Sequence, residues 1–302
     1  MLWLVVAIAG YFFLSIATLG DKYILTSRLN AKTYTFYDGV LGIFVLLLIP
    51  FVKFSFPDYP TIIFCFATGL FFVLGSYVFY VGLEKYEVSR IVTAVGGLLP
   101  IFTFFFSYFF LEKGKFFLSA KDVLAFFLLI SGAFIIARVP GSKVFSRSLF
   151  ISTLTSLLFA VYFVFSKRIY TVLPFWNAVI LIRIGAFVPA LIFIFSADVR
   201  KSFSFNKQET LNKKVIFLLF INQLFSASGA LLQNWAIALA SFSYIAFINA
   251  LDGVRYVFLF IFTYIISWKF PQILKEDVSR NKTFSKIIAI FLIVGGLAIL
   301  AL

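Results

Sequence analysis

Long apolar runs, each able to cross a lipid bilayer, recur along the whole chain and limit how it can fold. A helix needs about 20 apolar residues to span the hydrocarbon core, and ten stretches approach that length. They are 2–27, 34–52, 61–83, 88–111, 122–138, 148–170, 175–196, 215–239, 242–268 and 284–302. The runs are continuous, whereas a membrane β-barrel would show alternating polarity. The sequence therefore predicts an all-α membrane protein with ten transmembrane helices.

The composition supports the same class. Hydrophobic residues make up 63% of the chain and charged residues 13%, whereas roughly a quarter of the residues of a soluble domain are charged. This excludes a soluble enzyme, a disordered chain and, despite the net charge of +14, a nucleic-acid-binding module. Histidine is absent and Cys65 is the only cysteine, so histidine metal sites and internal disulfides are excluded. We expect no cofactor, no metal and no nucleic-acid partner.

The two halves of the chain resemble each other weakly. Each half has a lysine near the end of its first apolar run, at Lys22 and at Lys167. Five spans per half is an odd number, so the second copy would be inverted relative to the first. The sequence thus predicts two inverted five-helix repeats, at residues 1–144 and 145–302. Inverted repeats are typical of secondary transporters, whose solute site lies at the bilayer midplane between the copies.

The distribution of basic residues predicts an orientation. With ten spans both termini lie on one side of the membrane, and the loops on the opposite side carry seventeen Lys and Arg residues against six. Because positive loops stay cytoplasmic, this count predicts that both termini are outside.

The ninth predicted span contains charged residues well away from its ends. Asp252 and Arg255 are three residues apart, so they share one helix face and can pair. One interpretation is a self-neutralising pair that never meets a solute. The other, which we favour, is a pair that lines a hydrated cavity and binds the solute. Asn249 and Gly253 support the second interpretation, because they make that face polar or weaken the helix there.

The fourth predicted span contains Gly97 and Pro100 at a similar depth. Proline removes a backbone donor and leaves a carbonyl free for a ligand. Both a packing kink, which transmembrane helices tolerate, and a functional helix break are consistent with this pattern. We therefore predict helix-break or gating positions at Gly97, Pro100 and Gly253.

Other polar residues within the spans are candidate solute-binding groups. Lys22 and Lys167 lie near span ends, where each either extends to the headgroups or faces a cavity. Asp21 beside Lys22 favours the cavity, and Arg183 lies about two turns inside the seventh span. Three uncharged residues of the eighth span, Gln223, Gln233 and Asn234, either line a pathway or bond neighbouring helices.

The balance of these charges predicts the kind of solute. The cations considered are Lys22, Lys167, Arg183 and Arg255, and the anions are Asp21 and Asp252. A cavity with excess positive charge would favour a solute with a carboxylate or phosphate. If transport is coupled to protons, the carboxyls of Asp21 and Asp252 are the deep candidates.

Two segments carry a resemblance to a known family. Residues 82–90, GLEKYEVSR, and 97–112, GLLPIFTFFFSYFFLE, are similar to the third-to-fourth-span pattern of EamA-type members of the drug/metabolite transporter superfamily. Lys22 and Lys167 resemble the first-helix lysine of each repeat in that family. The resemblance extends over essentially the whole chain, and it implies ten spans in two repeats, transport activity and cytoplasmic termini. This last implication contradicts the charge count.

The sequence also departs from the family pattern. Leu14 and Ser15 occupy the place of a tryptophan–glycine-rich signature before the first lysine. In the second repeat, Arg255 and Ser267 stand where a proline and a glutamate are expected. These departures leave the solute unassigned.

The hypothesis that fits best is a secondary transporter in the cell membrane that moves a small, anionic or amino-acid-like metabolite by alternating access. Its expected partners are the solute and the lipid bilayer, and the protein is expected to be a monomer or a homodimer. A lipid-modifying membrane enzyme is less consistent with the scattered acids and the absence of histidine. A non-transporting scaffold is less consistent with the repeats and the deep charges.

Overall fold

The protein is helical throughout the part of the chain that the structure describes. This computed structural model describes residues 2–27, 29–86, 88–110, 119–137, 145–202 and 213–269, with residues 288, 291–292, 295–296 and 298–299. The α-helices are α1 (Leu2–Ser27), α2 (Ala31–Leu41), α3 (Tyr59–Lys85), α4 (Val88–Phe110), α5 (Ala120–Ala137), α6 (Phe145–Val172), α7 (Phe175–Ala190), α8 (Ala197–Ser202), α9 (Lys213–Leu239), α10 (Ile245–Ala250) and α11 (Asp252–Lys269).

Eight stretches of the described residues are long and apolar enough to cross a membrane. They are Leu2–Thr26, Ala31–Phe51, Tyr59–Lys85, Arg90–Phe109, Arg147–Val172, Phe175–Phe195, Ile216–Leu239 and Phe242–Leu259. They coincide with the first four predicted spans and with the sixth to the ninth. Helix α5 forms where the fifth span was predicted, and most of the tenth, 284–302, lies outside the described residues. The protein is thus a multi-pass membrane protein.

The second and seventh spans both change from an α-helix to a 3₁₀ helix. Helix α2 continues as the 3₁₀ segment Gly42–Phe51, and α7 continues as Leu191–Phe195. A 3₁₀ helix is narrower and rises further per residue than an α-helix, so both spans are lengthened at this end. Pro50 and Pro189 lie at or near these segments, where they remove backbone donors.

The helices of the two halves of the chain pack tightly against each other. Helix α1 packs along α9, α3 packs along α6 and α7, and α4 packs along α6. Where α1 crosses α9, a Cβ atom on Gly229 would lie 2.9 Å from the Gly10 carbonyl oxygen. Small residues at such crossings allow backbones to approach closely, which is how helices associate in membranes.

Large apolar side chains cover much of the outer surface. Phe51, Tyr59, Phe127 and Phe195 are each exposed over more than two-thirds of their area. In water such a surface would promote aggregation, whereas in a bilayer it faces acyl chains. The polar side chains are instead placed inside, where they surround a cavity.

The crossing of α3 and α7 provides a test of this packing. A Cβ atom on Gly185 would lie 2.6 Å from the Phe66 Cα atom and 2.8 Å from the Cys65 carbonyl oxygen, and backbone cannot give way easily. We expect Gly185→Ala to destabilise the protein by about 1–3 kcal/mol through overpacking, measured as a lower melting temperature in detergent. The matched control is Gly295→Ala, because no described atom lies within 4 Å of its added Cβ. Equal melting temperatures for the two variants would contradict the crossing.

Candidate functional site

A cavity of about 590 Å³ lies among the helices and is lined by residues of both halves of the chain. Its volume falls in the range of small-molecule binding sites. Most of the wall is apolar and aromatic, and charged side chains enter it from α1, α2, α7 and α11. The charged lining residues are Asp21, Asp38, Arg183, Asp252 and Arg255. Uncharged polar lining residues are Ser76, Tyr80, Tyr162, Tyr170, Gln223, Ser226, Gln233 and Asn234.

The predicted pair of Asp252 and Arg255 forms and faces this cavity. Arg255 Nη1 lies 3.4 Å from Asp252 Oδ1, and their side chains are only 12% and 5% exposed. Arg255 also donates a hydrogen bond to Thr18 of α1, so it connects the two halves. Its Nε atom is buried and has no hydrogen-bond partner within the described residues. The two side chains are therefore in contact, but the guanidinium of Arg255 keeps one hydrogen-bond donor, Nε, that no described residue accepts from.

The ninth span breaks immediately before Asp252. Helix α10 ends at Ala250, Leu251 forms a turn, and Asp252 begins α11. A carboxylate in the first turn of a helix is stabilised by the helix dipole, which explains why the acid stands there. The break thus lies two residues before the predicted position, Gly253.

Tyr11 of α1 helps to hold this break. Its hydroxyl donates a 2.7 Å hydrogen bond to the Ile248 carbonyl oxygen and accepts a 2.9 Å bond from Gln233 Nε2. The predicted site residue Gln233 therefore lines the cavity and contacts the break through Tyr11.

The break predicted in the fourth span is not found. Helix α4 runs from Val88 to Phe110 with Pro100 inside it. Proline removes one hydrogen bond but does not end a helix that its neighbours support. Neither Gly97 nor Pro100 lines the cavity. Gly96 has a packing role instead, since a Cβ atom there would lie 2.9 Å from Asp252 Oδ2.

Asp21 lies at the cavity wall in a network of neutral donors. Its Oδ1 atom accepts hydrogen bonds from the Tyr34 hydroxyl at 2.5 Å and from Asn222 Nδ2 at 2.6 Å. Asn222 Nδ2 also lies 2.9 Å from the Tyr34 hydroxyl. Because Asn222 belongs to α9, this carboxylate of the first half is held by a donor from the second half.

Asp38 is a cavity residue that the sequence analysis did not select. Its Oδ2 atom accepts a 3.1 Å bond from the Tyr80 hydroxyl, and its Oδ1 atom accepts a 3.1 Å bond from Gln223 Nε2. The rings of Tyr34 and Tyr80 meet edge to face with centroids 4.7 Å apart, so the two carboxylate networks are adjacent. Asp38 is an acidic residue inside the predicted span 34–52, and this position in the sequence could have identified it.

Arg183 of α7 lines the same cavity, as its depth in the span suggested. Its guanidinium carbon lies 4.6 Å from the centroid of the Phe72 ring, a cation–π contact. Asn249 is fully buried and does not line the cavity. Its amide nitrogen donates a 2.9 Å bond to the Thr103 hydroxyl of α4, so its visible role is to join α10 to α4.

The two predicted lysines lie outside the cavity wall and bind helix ends in equivalent ways. Lys22 Nζ donates to the carbonyl oxygens of Leu83 at 2.6 Å and Tyr86 at 2.8 Å, at the end of α3. Lys167 Nζ donates to Ala238 at 3.0 Å and to Ala240, at the end of α9. The last carbonyls of a helix lack partners within the helix, and a lysine supplies both hydrogen bonds and positive charge there.

This placement changes the charge balance that the sequence predicted. With both lysines elsewhere and Asp38 added, the described residues of the cavity wall include three carboxylates and two guanidiniums. The expected excess of positive charge is therefore not found in the cavity wall, and the preference for an anionic solute loses this argument. Among the described residues, no group of three or more His, Cys, Asp or Glu side chains is arranged to hold a metal ion.

Comparison with known proteins finds a family match in the N-terminal part of the chain. Residues 1–138 match the EamA-like transporter family. The segments 82–90 and 97–112, which carry the resemblance seen in the sequence, lie within this match, so the match confirms that resemblance. No curated protein matches the chain.

A solved structure shares the fold of this chain over almost its whole length. The structure, described as "Crystal structure of protein", aligns with 99% of this chain and 98% of its own chain at a TM-score of 0.65. The two sequences are 16% identical, so the similarity concerns the fold alone.

The position of the lysines predicts how their removal acts. We expect Lys167→Met to destabilise the protein by about 1.5–3 kcal/mol, because two helix-end carbonyls lose a charged donor, and to leave solute affinity of the folded protein unchanged. Melting temperature and binding measured on the same sample check both statements. The exposed neighbour Arg168 provides the control Arg168→Met, expected to change stability by less than about 0.5 kcal/mol. Loss of solute binding at unchanged stability would instead give Lys167 a binding role.

Proposed function

We propose that this protein is an EamA-type secondary transporter in the cell membrane that carries a small organic solute by alternating access. The observation that carries the proposal is the cavity of about 590 Å³, with charged side chains from both halves of the chain. Asp21 and Asp38 come from the first half, and Arg183, Asp252 and Arg255 come from the second. Charged residues in transmembrane segments typically mark a solute or ion pathway.

The proposed moving units are the five-helix repeats 1–144 and 145–302, with the second inverted. Two observations support this division. Lys22 and Lys167 bind the ends of α3 and α9 in equivalent ways, and α2 and α7 both continue as 3₁₀ helices. In an inverted-repeat transporter, one repeat rocks against the other around a site that stays between them.

Within this mechanism, Asp252 and Arg255 form the solute-responsive pair. Their single contact of 3.4 Å is at the long end of an ion pair, and two parallel hydrogen bonds would be stronger. A solute group that binds Arg255 would compete with Asp252 for the guanidinium. The turn at Leu251 places this exchange beside a helix break. A small rotation of α11 relative to α10 would change fewer backbone hydrogen bonds there than within a continuous helix.

The wall of the cavity sets the general form of the solute. Aromatic side chains such as Phe72, Phe79 and Phe159 surround the charged groups. The solute we propose is a metabolite, amino-acid-like in size, with an apolar body and at least one charged group. The cavity's charges replace the solute's hydration, and its apolar wall contacts the body.

The test is solute flux into proteoliposomes. A thermal-stabilisation screen of metabolites on the purified protein first selects a ligand, because ligand binding raises the melting temperature by mass action. We expect vesicles that contain the protein to take up this ligand. Asp252→Asn and Arg255→Gln should each lower the initial rate at least about tenfold, because each leaves a buried partner uncompensated.

The control for this experiment is Asp58→Asn. Asp58 precedes α3, is exposed and lies outside the cavity, so its uptake rate should equal that of the unmodified protein. Normal rates for both cavity variants would remove Asp252 and Arg255 from the site. Absence of uptake for every stabilising ligand would contradict the transport function itself.

A further inference from the structure

The carboxylate of Asp38 is buried without a direct ion pair among the described residues, and the guanidinium of Arg183 attracts it only from a longer distance. The residue is 8% exposed, and no lysine or arginine nitrogen among the described residues lies within 4.0 Å of it. Its two hydrogen-bond donors, Tyr80 and Gln223, are both neutral. Burial of an ionised carboxylate costs several kcal/mol unless a charge compensates it. This position therefore favours a ligand that brings a positive charge.

Two further acceptors without partners accompany Asp38. Gln223 donates a hydrogen bond from Nε2 to Asp38. Because a carboxylate oxygen only accepts hydrogen bonds, the amide oxygen Oε1 of Gln223 is the acceptor that remains. Gln223 is 8% exposed, and Oε1 has no hydrogen bond in the described structure. Ser76 is 4% exposed, lines the cavity, and its hydroxyl likewise has no partner in the described part of the chain. Ser76 lies one helical turn before Tyr80 on α3, so both face the same side of that helix.

We propose that Asp38, Ser76 and Gln223 bind a protonated primary amine of the transported solute. An ammonium group has three donors and one positive charge, and these residues offer a carboxylate, a hydroxyl and an amide oxygen. The charge of the carboxylate compensates that of the amine, while the two neutral acceptors fix its direction. This inference rests on the proposed transport function and names the chemical class of the solute group.

The other charged groups at the cavity are less suited to an amine. Asp252 already has Arg255 beside it. Asp21 accepts two short hydrogen bonds on one oxygen, from Tyr34 and Asn222. Among its described hydrogen-bond partners there is no serine or glutamine, so it lacks the two neutral acceptors that accompany Asp38. Arg183 would repel an ammonium group, and it is available for an acidic group elsewhere on the solute. The site is therefore assigned to Asp38.

Three indole compounds of similar shape test the proposal on the full-length protein. Tryptamine carries a primary ammonium group, N-acetyltryptamine is neutral, and indole-3-propionate is an anion. Affinities follow from the dependence of melting temperature on ligand concentration. We expect tryptamine to bind at least about tenfold more tightly than either analogue, as a charge-assisted hydrogen bond requires.

Matched variants assign the effect to the site. Asp38→Asn should weaken tryptamine binding by about ten- to hundredfold and leave the affinity for N-acetyltryptamine unchanged. Ser76→Ala removes only a hydroxyl without a partner, so it should fold normally and weaken tryptamine binding by roughly two- to tenfold. Asp58→Asn, outside the cavity, should change neither affinity.

Several results would overturn the site. Any one of three results is enough. The first is equal affinity for the three compounds, and the second is no stabilisation by tryptamine. The third is full tryptamine affinity in both Asp38→Asn and Ser76→Ala. If uptake of another solute persists in any of these cases, the amine site fails and the transport function stands. If tryptamine binds selectively but no solute is taken up, the amine site stands and the transport function fails.

Discussion

An ionised side chain inside a membrane is stable only where hydrogen bonds, an opposite charge or water replace its lost hydration. The described helices meet this condition in two ways. Carboxylates and guanidiniums collect around one cavity, where Asp252 pairs with Arg255 and the other acids accept hydrogen bonds from tyrosines and amides. Lys22 and Lys167 instead use helix-end carbonyls. The charges that remain available in the cavity are those that a solute can contact.

Three of the hydrogen bonds that hold these charges join one half of the chain to the other. Asn222 and Gln223 of α9 donate to acids of α1 and α2, and Arg255 of α11 donates to Thr18 of α1. Tyr11 of α1 bonds the carbonyl just before the break in the ninth span. In the proposed mechanism, movement of one half against the other would therefore have to exchange these bonds.

Sequence patterns predicted the helices well because continuous apolar runs have one main structural solution in a bilayer. They also predicted that Asp252 and Arg255 would pair, since a spacing of three is a local property of a helix. They could not place Lys22 and Lys167, because a long side chain near a span end reaches either a cavity or a neighbouring helix end. Asp38 was missed although it stands inside a predicted span, and its amide partner lies on a helix 185 positions away in sequence. The break at Leu251 is contacted by Tyr11 of α1, and no local sequence pattern contains such a long-range contact.

The central claim is that the cavity opens in turn to each side of the membrane. Thiol accessibility at Ser226, which lines the cavity midway along α9, tests it most directly. In a Cys65→Ala background, Ser226→Cys should react with a charged, membrane-impermeant thiol reagent added to either side of oriented vesicles. The lipid-facing position Phe105, changed to cysteine, should react from neither side. Reaction of the Ser226→Cys variant from one side only, or from neither, would contradict alternating access.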